Sequence, residues 1–256
     1  MKTTIDKIKS MKGKEKISML TAYDCSTARY MDEAGIDIIL IGDSLGMVVL
    51  GYKNTLSVTT EDIIRHTGAV VRGANNALIV ADLPAGAYDD NETAALNAEA
   101  LIKSGADTVK LENAPEIAKF LVDNKLEVMG HVGLTPQTVT DFKVQGKEEE
   151  AANTIIKMAK DLETAGCYAV VLEGIPRELG KKISEMLSVP TIGIGAGPDC
   201  DGQVLVVNDI LGLYDKFSPK FVKKYAHLAD DMKKAFKDYI EDVKEGNFPE
   251  DKHSFH

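Results

Sequence analysis

Short apolar runs alternate with longer amphipathic segments along the whole chain. Runs rich in Val, Ile and Leu predict strands, and segments with apolar positions every three or four residues predict helices. The predicted strands are 17–21, 36–41, 78–81, 108–111, 127–129, 169–172, 191–194 and 203–207. Segment 203–207 could also begin a helix, because asparagine and aspartate follow it directly.

Helical patterns fill the spaces between most of these strands. The predicted helices are 26–33, 60–72, 91–104, 115–124, 148–165, 177–187 and 219–245. Gly35, Gly105 and Gly166 each follow a predicted helix and precede a strand, where a left-handed residue commonly closes a helix. This repeating unit indicates parallel strands joined by helices.

The number of units decides between two α/β architectures. About eight strand–helix units in 256 residues favour a (β/α)8 TIM barrel, which typically takes about 250 residues. The alternative is a Rossmann-like open sheet. Because no linker rich in Pro, Gly or Ser divides the chain, we expect residues 1–256 to form a single barrel domain with a C-terminal helical extension.

Composition and charge narrow the class of protein. A hydrophobic content of 44% fits a folded globular chain, and a net charge of −10 argues against nucleic acid as the main partner. The lysine-rich N-terminus lacks the apolar core of a signal peptide, and no apolar run is long enough for a membrane helix. The three cysteines, Cys25, Cys167 and Cys200, have no metal-binding spacing, so we expect a reduced, cytoplasmic protein without membrane partners.

Polar side chains stand at the end of nearly every predicted strand. Barrel enzymes build their active sites at these carboxyl ends. The side chains in question are Asp24, Asp43, Ser44, Asp82, Lys110, Glu112, His131 and Glu173. A single aspartate after a strand is more often a helix cap. The convergence of so many on one face instead predicts a shared cavity.

Asp43, Asp82 and Glu112 form a carboxylate set on three neighbouring strands. Oxygen ligands without nearby His or Cys suit Mg²⁺, and helix caps or salt bridges to Lys110 are the alternative. Alternation along the strand places Lys110 and Glu112 on one side. An inward charge pair is costly unless it is partnered, which favours a functional role over a structural ion pair.

The remaining candidates carry weaker signals. Glu173 follows an apolar run and is a candidate base, with helix capping as the alternative. His131 lies in Met-Gly-His-Val-Gly and ranks below the carboxylates, because a lone histidine is more often a hydrogen-bonding residue than a catalyst. Gly193, Gly195 and Gly197 do not fit a dinucleotide-binding loop and indicate barrel packing or room beside a ligand.

In combination, the motifs identify a family. They are Thr21-Ala-Tyr-Asp, Gly42-Asp-Ser-Leu-Gly-Met, Ala81-Asp-Leu-Pro, Val109-Lys-Leu-Glu, Gly130-His-Val-Gly-Leu-Thr-Pro-Gln, Phe142-Lys-Val-Gln-Gly, Ile192-Gly-Ile-Gly-Ala-Gly, Asp201-Gly-Gln and His253-Ser-Phe-His. In this order, and over essentially the whole length, the chain resembles the ketopantoate hydroxymethyltransferases.

The resemblance implies a (β/α)8 barrel of the phosphoenolpyruvate/pyruvate type. It implies transfer of a one-carbon unit from 5,10-methylenetetrahydrofolate to 3-methyl-2-oxobutanoate, a branched 2-oxo acid, giving 2-dehydropantoate for pantothenate biosynthesis. Asp43 and Asp82 would ligate one Mg²⁺ per subunit, with Glu112 a further ligand, directly or through water. Asp43, Ser44, Asp82 and Lys110 would contact the keto acid, and Glu173 would be the general base that generates a Mg²⁺-stabilised enolate. Family members are typically homodecamers.

One stretch departs from the family pattern. Residues 137–146 are shorter than expected, which could change loop closure or folate contacts.

Two other functions are considered beside the transferase. One is a carbon–carbon lyase or phosphonomutase, enzymes that usually place a reactive cysteine in a mobile loop. Neither Cys25 nor Cys200 has a comparable context, which argues against this function. The other is a catalytically silent scaffold barrel. In the predicted C-terminal helix, Phe221, Tyr225, Leu228 and Met232 have helical spacing and would pack on the barrel or on a neighbouring subunit.

Overall fold

A computed structural model of the protein describes residues 2–138, 143–214 and 219–256. The chain forms two compact units, Met1–Val206 and Val207–His256. The first unit contains every strand that the structure describes and all the candidate site residues. The predicted departure at 137–146 falls partly on residues 139–142, which lie outside the described residues.

Eight parallel strands close into a barrel in the first unit. They are β1 (Ile17–Thr21), β2 (Ile38–Ile41), β3 (Leu78–Asp82), β4 (Thr108–Glu112), β5 (Val128–Gly133), β6 (Ala169–Glu173), β7 (Thr191–Ile194) and β8 (Gly202–Leu205). Each strand pairs with the next in sequence, and β1 pairs with β8, with Ile17 opposite Gly202. The closure confirms the predicted TIM barrel and excludes the open sheet.

Helices follow most of the strands, as the repeating pattern predicts. In the first unit they are α1 (Ile5–Met11), α2 (Cys25–Glu33), α3 (Leu45–Val48), α4 (Thr60–Val71), α5 (Asn91–Lys103), α6 (Pro115–Asp123), α7 (Glu149–Thr164) and α8 (Arg177–Met186). The second unit contains α9 (Val207–Ile210), α10 (Leu228–Glu245) and a short 3-10 helix, Asp251–His253. Helices α1 and α3 have no counterpart in the sequence prediction.

Local capping explains where several helices begin. The Thr59 side chain accepts from the Asp62 N–H, and the Asp62 carboxylate accepts from the Thr59 N–H, so a capping box starts α4. The Asp24 carboxylate accepts from the amides of Ser26 and Thr27 at the start of α2. Asp24 is therefore a helix cap, in line with the ordinary expectation for an aspartate after a strand.

Strands β3 and β4 are buried along their whole length, because one face points into the barrel and the other is covered by helices. One cluster of the core joins Met19, Val80, Met129 and Val171 from different strands to Ile8 of α1. This packing fixes the strands rigidly, so the side chains at their carboxyl ends have defined positions.

The structure changes three predicted strands by two residues or more, and the first of these, β2, begins at Ile38 instead of residue 36. Strand β5 continues to Gly133 instead of ending at Met129, because residues up to Gly133 pair with β6 and leave Gly133 opposite Glu173. His131 is thus inside the strand rather than after it. The last strand, β8, stops at Leu205, and Val207 begins α9. The helix start that the asparagine and aspartate suggested is therefore present there.

The predicted helix 219–245 is too long at its beginning. Helix α10 starts at Leu228, because the backbone amides of Tyr225 and Leu228 donate to the carbonyls of Ile210 and Leu211 instead of following a helical pattern. Phe221 and Tyr225 therefore lie before the helix. No residue of α10 is buried. Among the described residues, no helix has the length and apolar character needed to cross a membrane.

Candidate active site

The polar residues predicted at the strand ends do meet at the carboxyl end of the barrel. Asp43 and Ser44 follow β2, Asp82 ends β3, Lys110 and Glu112 lie at the end of β4, and His131 and Glu173 lie on β5 and β6. Asp43, Asp82, Lys110, Glu112 and His131 are all less than 7% exposed. Glu173 is half-buried. This concentration of buried charge exceeds what helix capping requires, so the cluster is a candidate active site.

The register of the parallel strands creates two charge pairs. Asp82 on β3 stands opposite Lys110 on β4, and Lys110 Nζ lies 2.8 Å from Asp82 Oδ1. Glu112 on β4 stands opposite His131 on β5, with Glu112 Oε1 3.2 Å from His131 Nδ1. Burial alone would lower the pKa of Lys110, but the surrounding carboxylates, Asp82 first, outweigh it and raise this pKa.

His131 connects two carboxylates across the site. Its Nε2 lies 3.3 Å from Glu173 Oε2, as a charge contact rather than a well-aligned hydrogen bond, while Nδ1 faces Glu112. Burial opposes its protonation, but the Glu112 carboxylate prevails and raises the pKa of His131 to about 9. The pKa of Glu112 is lowered, since His131 and Lys110 offset its burial. The sequence did not predict these two contacts of His131.

Asp43 and Asp82 are close enough to repel one another. The Asp43 N–H donates to Asp82 Oδ2 at 2.9 Å, and a Cβ on Gly42 would lie only 3.5 Å from the same oxygen. Burial and then the Asp82 carboxylate raise the pKa of Asp43 to about 8. Burial also raises the pKa of Asp82, although Lys110 opposes the shift. These two carboxylates gain most from an added cation.

Ser44 makes a contact that the sequence did not predict. Its hydroxyl lies 2.8 Å from the Tyr23 hydroxyl, and His66 Nδ1 lies 2.6 Å from the Tyr23 carbonyl oxygen. The pair of hydroxyls stands beside the carboxylates at the ends of β1 and β2. It offers neutral hydrogen-bond donors in a cluster that is otherwise charged.

Gln137 and Tyr88 also belong to the site, and sequence reasoning assigned them no role. Gln137 is 6% exposed, and its Nε2 donates to Asp43 Oδ2 at 2.8 Å. The Tyr88 hydroxyl donates to Gln137 Oε1 at 2.5 Å. Both residues lie in loops without helical or strand periodicity. The signal that could have found Gln137 is its place in Leu-Thr-Pro-Gln, directly after the His131 motif.

The donor chemistry fits a divalent cation held by two carboxylates. Within the described residues, no three His, Cys, Asp or Glu side chains form a group that could hold a metal ion by themselves. Mg²⁺ usually takes one or two protein carboxylates and completes its shell with water and substrate, so Asp43 and Asp82 suffice. The four acidic groups, Asp43, Asp82, Glu112 and Glu173, face two basic ones, Lys110 and His131. The excess of two negative charges equals the charge of one such ion.

Gly193, Cys167 and Cys200 are packed inside the fold. A Cβ on Gly193 would meet the Cys200 sulfur at 2.9 Å and the Gln203 side chain at 3.1 Å, which is barrel packing. Cys167 and Cys200 are buried, and burial raises the pKa of both thiols, that of Cys167 to about 12. Thiols in this state are poor nucleophiles.

Comparison with known proteins gives a consistent result over the full length. The family model described as ketopantoate hydroxymethyltransferase matches residues 2–251. A 3-methyl-2-oxobutanoate hydroxymethyltransferase of Syntrophus aciditrophicus is 54% identical over 263 residues, covering 99% of this chain and 97% of the relative. One of Enterococcus faecalis is also 54% identical, with 100% and 96% covered.

Solved structures share the fold at low sequence identity. A phosphonopyruvate hydrolase complexed with oxalate and Mg²⁺ has a TM-score of 0.66 and 10% identity, covering 100% of this chain and 92% of the other. A 2,3-dimethylmalate lyase of the PEP mutase/isocitrate lyase superfamily has a TM-score of 0.64 and 14% identity, with 97% and 90% covered. The barrel is thus of the type that the sequence predicted.

Proposed function

Because the chain belongs to the ketopantoate hydroxymethyltransferase family, we propose that it transfers a hydroxymethyl group from 5,10-methylenetetrahydrofolate to 3-methyl-2-oxobutanoate. The product would be 2-dehydropantoate, an intermediate of pantothenate and coenzyme A biosynthesis. The observation that carries this proposal is the buried cluster of carboxylates around Lys110, with Glu173 half-buried beside His131.

The residues that would hold the metal are Asp43 and Asp82, with Glu112 a further ligand through water. Both oxygens of Glu112 are engaged, Oε1 by His131 and Oε2 by the Gln137 amide, as both oxygens of Asp82 are by Lys110 and the Asp43 N–H. Bound Mg²⁺ would act as a Lewis acid on the keto and carboxylate oxygens of the substrate and make its C3 proton easier to remove.

Lys110 and Ser44 would bind the oxygens of the keto acid. The Lys110 ammonium is already held against Asp82, so it offers its positive charge without reorganising. It also supplies local positive charge in a protein whose net charge is −10, which would otherwise disfavour an anionic substrate. The Ser44 hydroxyl, next to that of Tyr23, would donate a hydrogen bond to the substrate carboxylate.

Glu173 would act as the general base at C3. Its carboxylate takes the proton as the C3–H bond breaks, and the electron pair left on the substrate attacks the methylene carbon of the folate. The new carbon–carbon bond replaces one carbon–nitrogen bond of the methylene bridge, and a hydroxyl oxygen from water replaces the other. His131, 3.3 Å from Glu173, would hold the carboxylate in place for this step.

A direct assay tests the proposal. Purified protein with Mg²⁺, 3-methyl-2-oxobutanoate and 5,10-methylenetetrahydrofolate should form 2-dehydropantoate, detected by mass spectrometry. Removal of Mg²⁺ with EDTA should stop the reaction, and added Mg²⁺ should restore it. Product formation without the folate would contradict the transferase function. The decamer and the cytoplasmic location expected from the resemblance and the sequence remain predictions, which light scattering and cell fractionation would test.

A further inference from the structure

We propose that Gln137 is a positioning residue for the magnesium ligands, holding Asp43 and Glu112 in place from the segment that follows β5. The inference rests on the magnesium site proposed above. It concerns a residue to which neither the sequence nor the mechanism gave a role. Gln137 makes four hydrogen bonds that support this role, all with residues that the structure describes.

The side chain of Gln137 uses both of its donors on the ends of two different strands. Nε2 donates to Asp43 Oδ2 at 2.8 Å, after β2, and to the Leu83 carbonyl oxygen at 3.0 Å, after β3. A primary amide has two N–H donors, so this nitrogen is fully used. The Asp43 carboxylate is therefore held on one oxygen by a donor that is itself anchored to the backbone.

Two acceptors, the Asp43 carboxylate and the Leu83 carbonyl, fix which way the amide points, and Tyr88 supports that orientation. The Tyr88 hydroxyl donates to Gln137 Oε1. If the amide were reversed, its carbonyl oxygen would face the Asp43 carboxylate and the Leu83 carbonyl, which are both acceptors. The reversed orientation is thus excluded by repulsion, and the donor remains directed at Asp43.

The backbone of Gln137 holds a second carboxylate. Its N–H donates to Glu112 Oε2 at 3.2 Å, at the end of β4. Gln137 therefore connects the ends of β2, β3 and β4, the three strands that supply the predicted carboxylate set. Outer hydrogen bonds of this kind orient metal ligands, and their loss typically weakens metal binding by about 10–100-fold.

The test is Mg²⁺ binding by isothermal titration calorimetry, with the thermal unfolding midpoint of the metal-free protein measured in parallel. Gln137→Met keeps the length of the side chain and removes both donors. Tyr88→Phe leaves the Gln137 side chain intact and removes a hydroxyl that donates to Gln137 Oε1 and accepts from the Glu112 N–H, so it tests the wider hydrogen-bond network. Gln145→Met is the matched control, because the Gln145 side chain donates to the Lys143 carbonyl oxygen and to none of the proposed ligands.

We expect Gln137→Met to raise the Kd for Mg²⁺ by about tenfold or more, the size of a lost outer hydrogen bond. Tyr88→Phe should raise it by a smaller factor, and Gln145→Met should bind as the wild type does. If Gln137→Met does not fold, Gln137→Asn, which keeps an amide but shortens the side chain by one methylene, takes its place, and wild-type affinity in that folded variant overturns the inference.

The experiment distinguishes failure of the positioning role from failure of the proposed magnesium site. A Gln137→Met protein that unfolds at a lower temperature but binds Mg²⁺ with wild-type affinity shows a merely structural role, and the positioning role is overturned while the metal site stands. If the wild type binds no Mg²⁺, or if Asp82→Ala binds it as well as the wild type, the metal site itself is wrong. The role of Gln137 then falls with it.

Discussion

Replacing Lys110 with methionine tests the electrostatic balance on which the site depends. Lys110 is 4% exposed, and its ammonium lies 2.8 Å from Asp82 and 3.5 Å from His131 Nδ1. It is the group that most opposes the raised pKa values of Asp43 and Asp82. Methionine has a similar length and no charge, so the variant removes the charge with little change in packing.

Lys110→Met should lower the free energy of unfolding by a large amount. Removing one partner of a buried ion pair costs about 3–5 kcal/mol, because the other charge is left uncompensated. A domain is usually stable by only about 5–15 kcal/mol, so this is a substantial share of the total. Most of the cost comes from Asp82, which retains the Asp43 N–H but loses its only cationic neighbour at salt-bridge distance among the residues that the structure describes.

The stability lost in Lys110→Met should increase as the pH rises. In the folded state the pKa values of Asp43 and Asp82 are raised, and without Lys110 they rise further. Above its ordinary pKa, an acid of this kind binds more protons folded than unfolded, so stability falls as pH rises. The deficit of Lys110→Met should therefore be small at pH 5 and grow as the pH rises past about 8, the pKa of Asp43 in the wild type, so that it is larger at pH 9.

Urea denaturation without Mg²⁺, at pH 5 and pH 9, measures the effect. Lys119→Met is the matched control, because Lys119 forms an exposed pair with Asp123 and should change stability by no more than about 1 kcal/mol. Adding Asp82→Asn to Lys110→Met should recover part of the loss, since the stranded charge is removed. A deficit equal to that of Lys119→Met, or one that is larger at pH 5 than at pH 9, would contradict this expectation.

Three further outcomes follow from the same geometry. Asp82→Ala should lose Mg²⁺ affinity and activity together in titrations with Mg²⁺, and wild-type binding would contradict its assignment as a ligand. Glu173→Gln should still bind the keto acid but stop exchange of the C3 proton in deuterated water, followed by NMR; unchanged exchange would transfer the role of base to His131 or to water. Because Asp43 has a pKa of about 8 and must lose its proton to bind a cation, Mg²⁺ affinity should rise about tenfold per pH unit below that value and level off above it. Calorimetry in buffers of different ionisation enthalpy should detect the released proton, and an affinity that does not change between pH 6 and pH 7.5 would rule out this titration.

Local patterns in the chain were enough to predict the barrel and to predict that its polar residues lie at the carboxyl ends of the strands. Period-two and helical patterns are local, and in a closed parallel barrel every strand ends on the same side, so Asp82, Lys110, Glu112 and Glu173 had to converge once the fold was identified. The resemblance then supplied a reaction for these residues.

Tertiary structure alone decided which of these groups touch. The register between neighbouring strands places Asp82 opposite Lys110 and Glu112 opposite His131, and no local pattern encodes a register that packing across the barrel fixes. For the same reason the contacts of His131 with Glu112 and Glu173 could not be predicted from its motif. Gln137 lies 94 positions along the chain from Asp43, yet they share a hydrogen bond. A buried polar contact between such distant loops depends on the closed barrel, because only the assembled fold removes water from both partners.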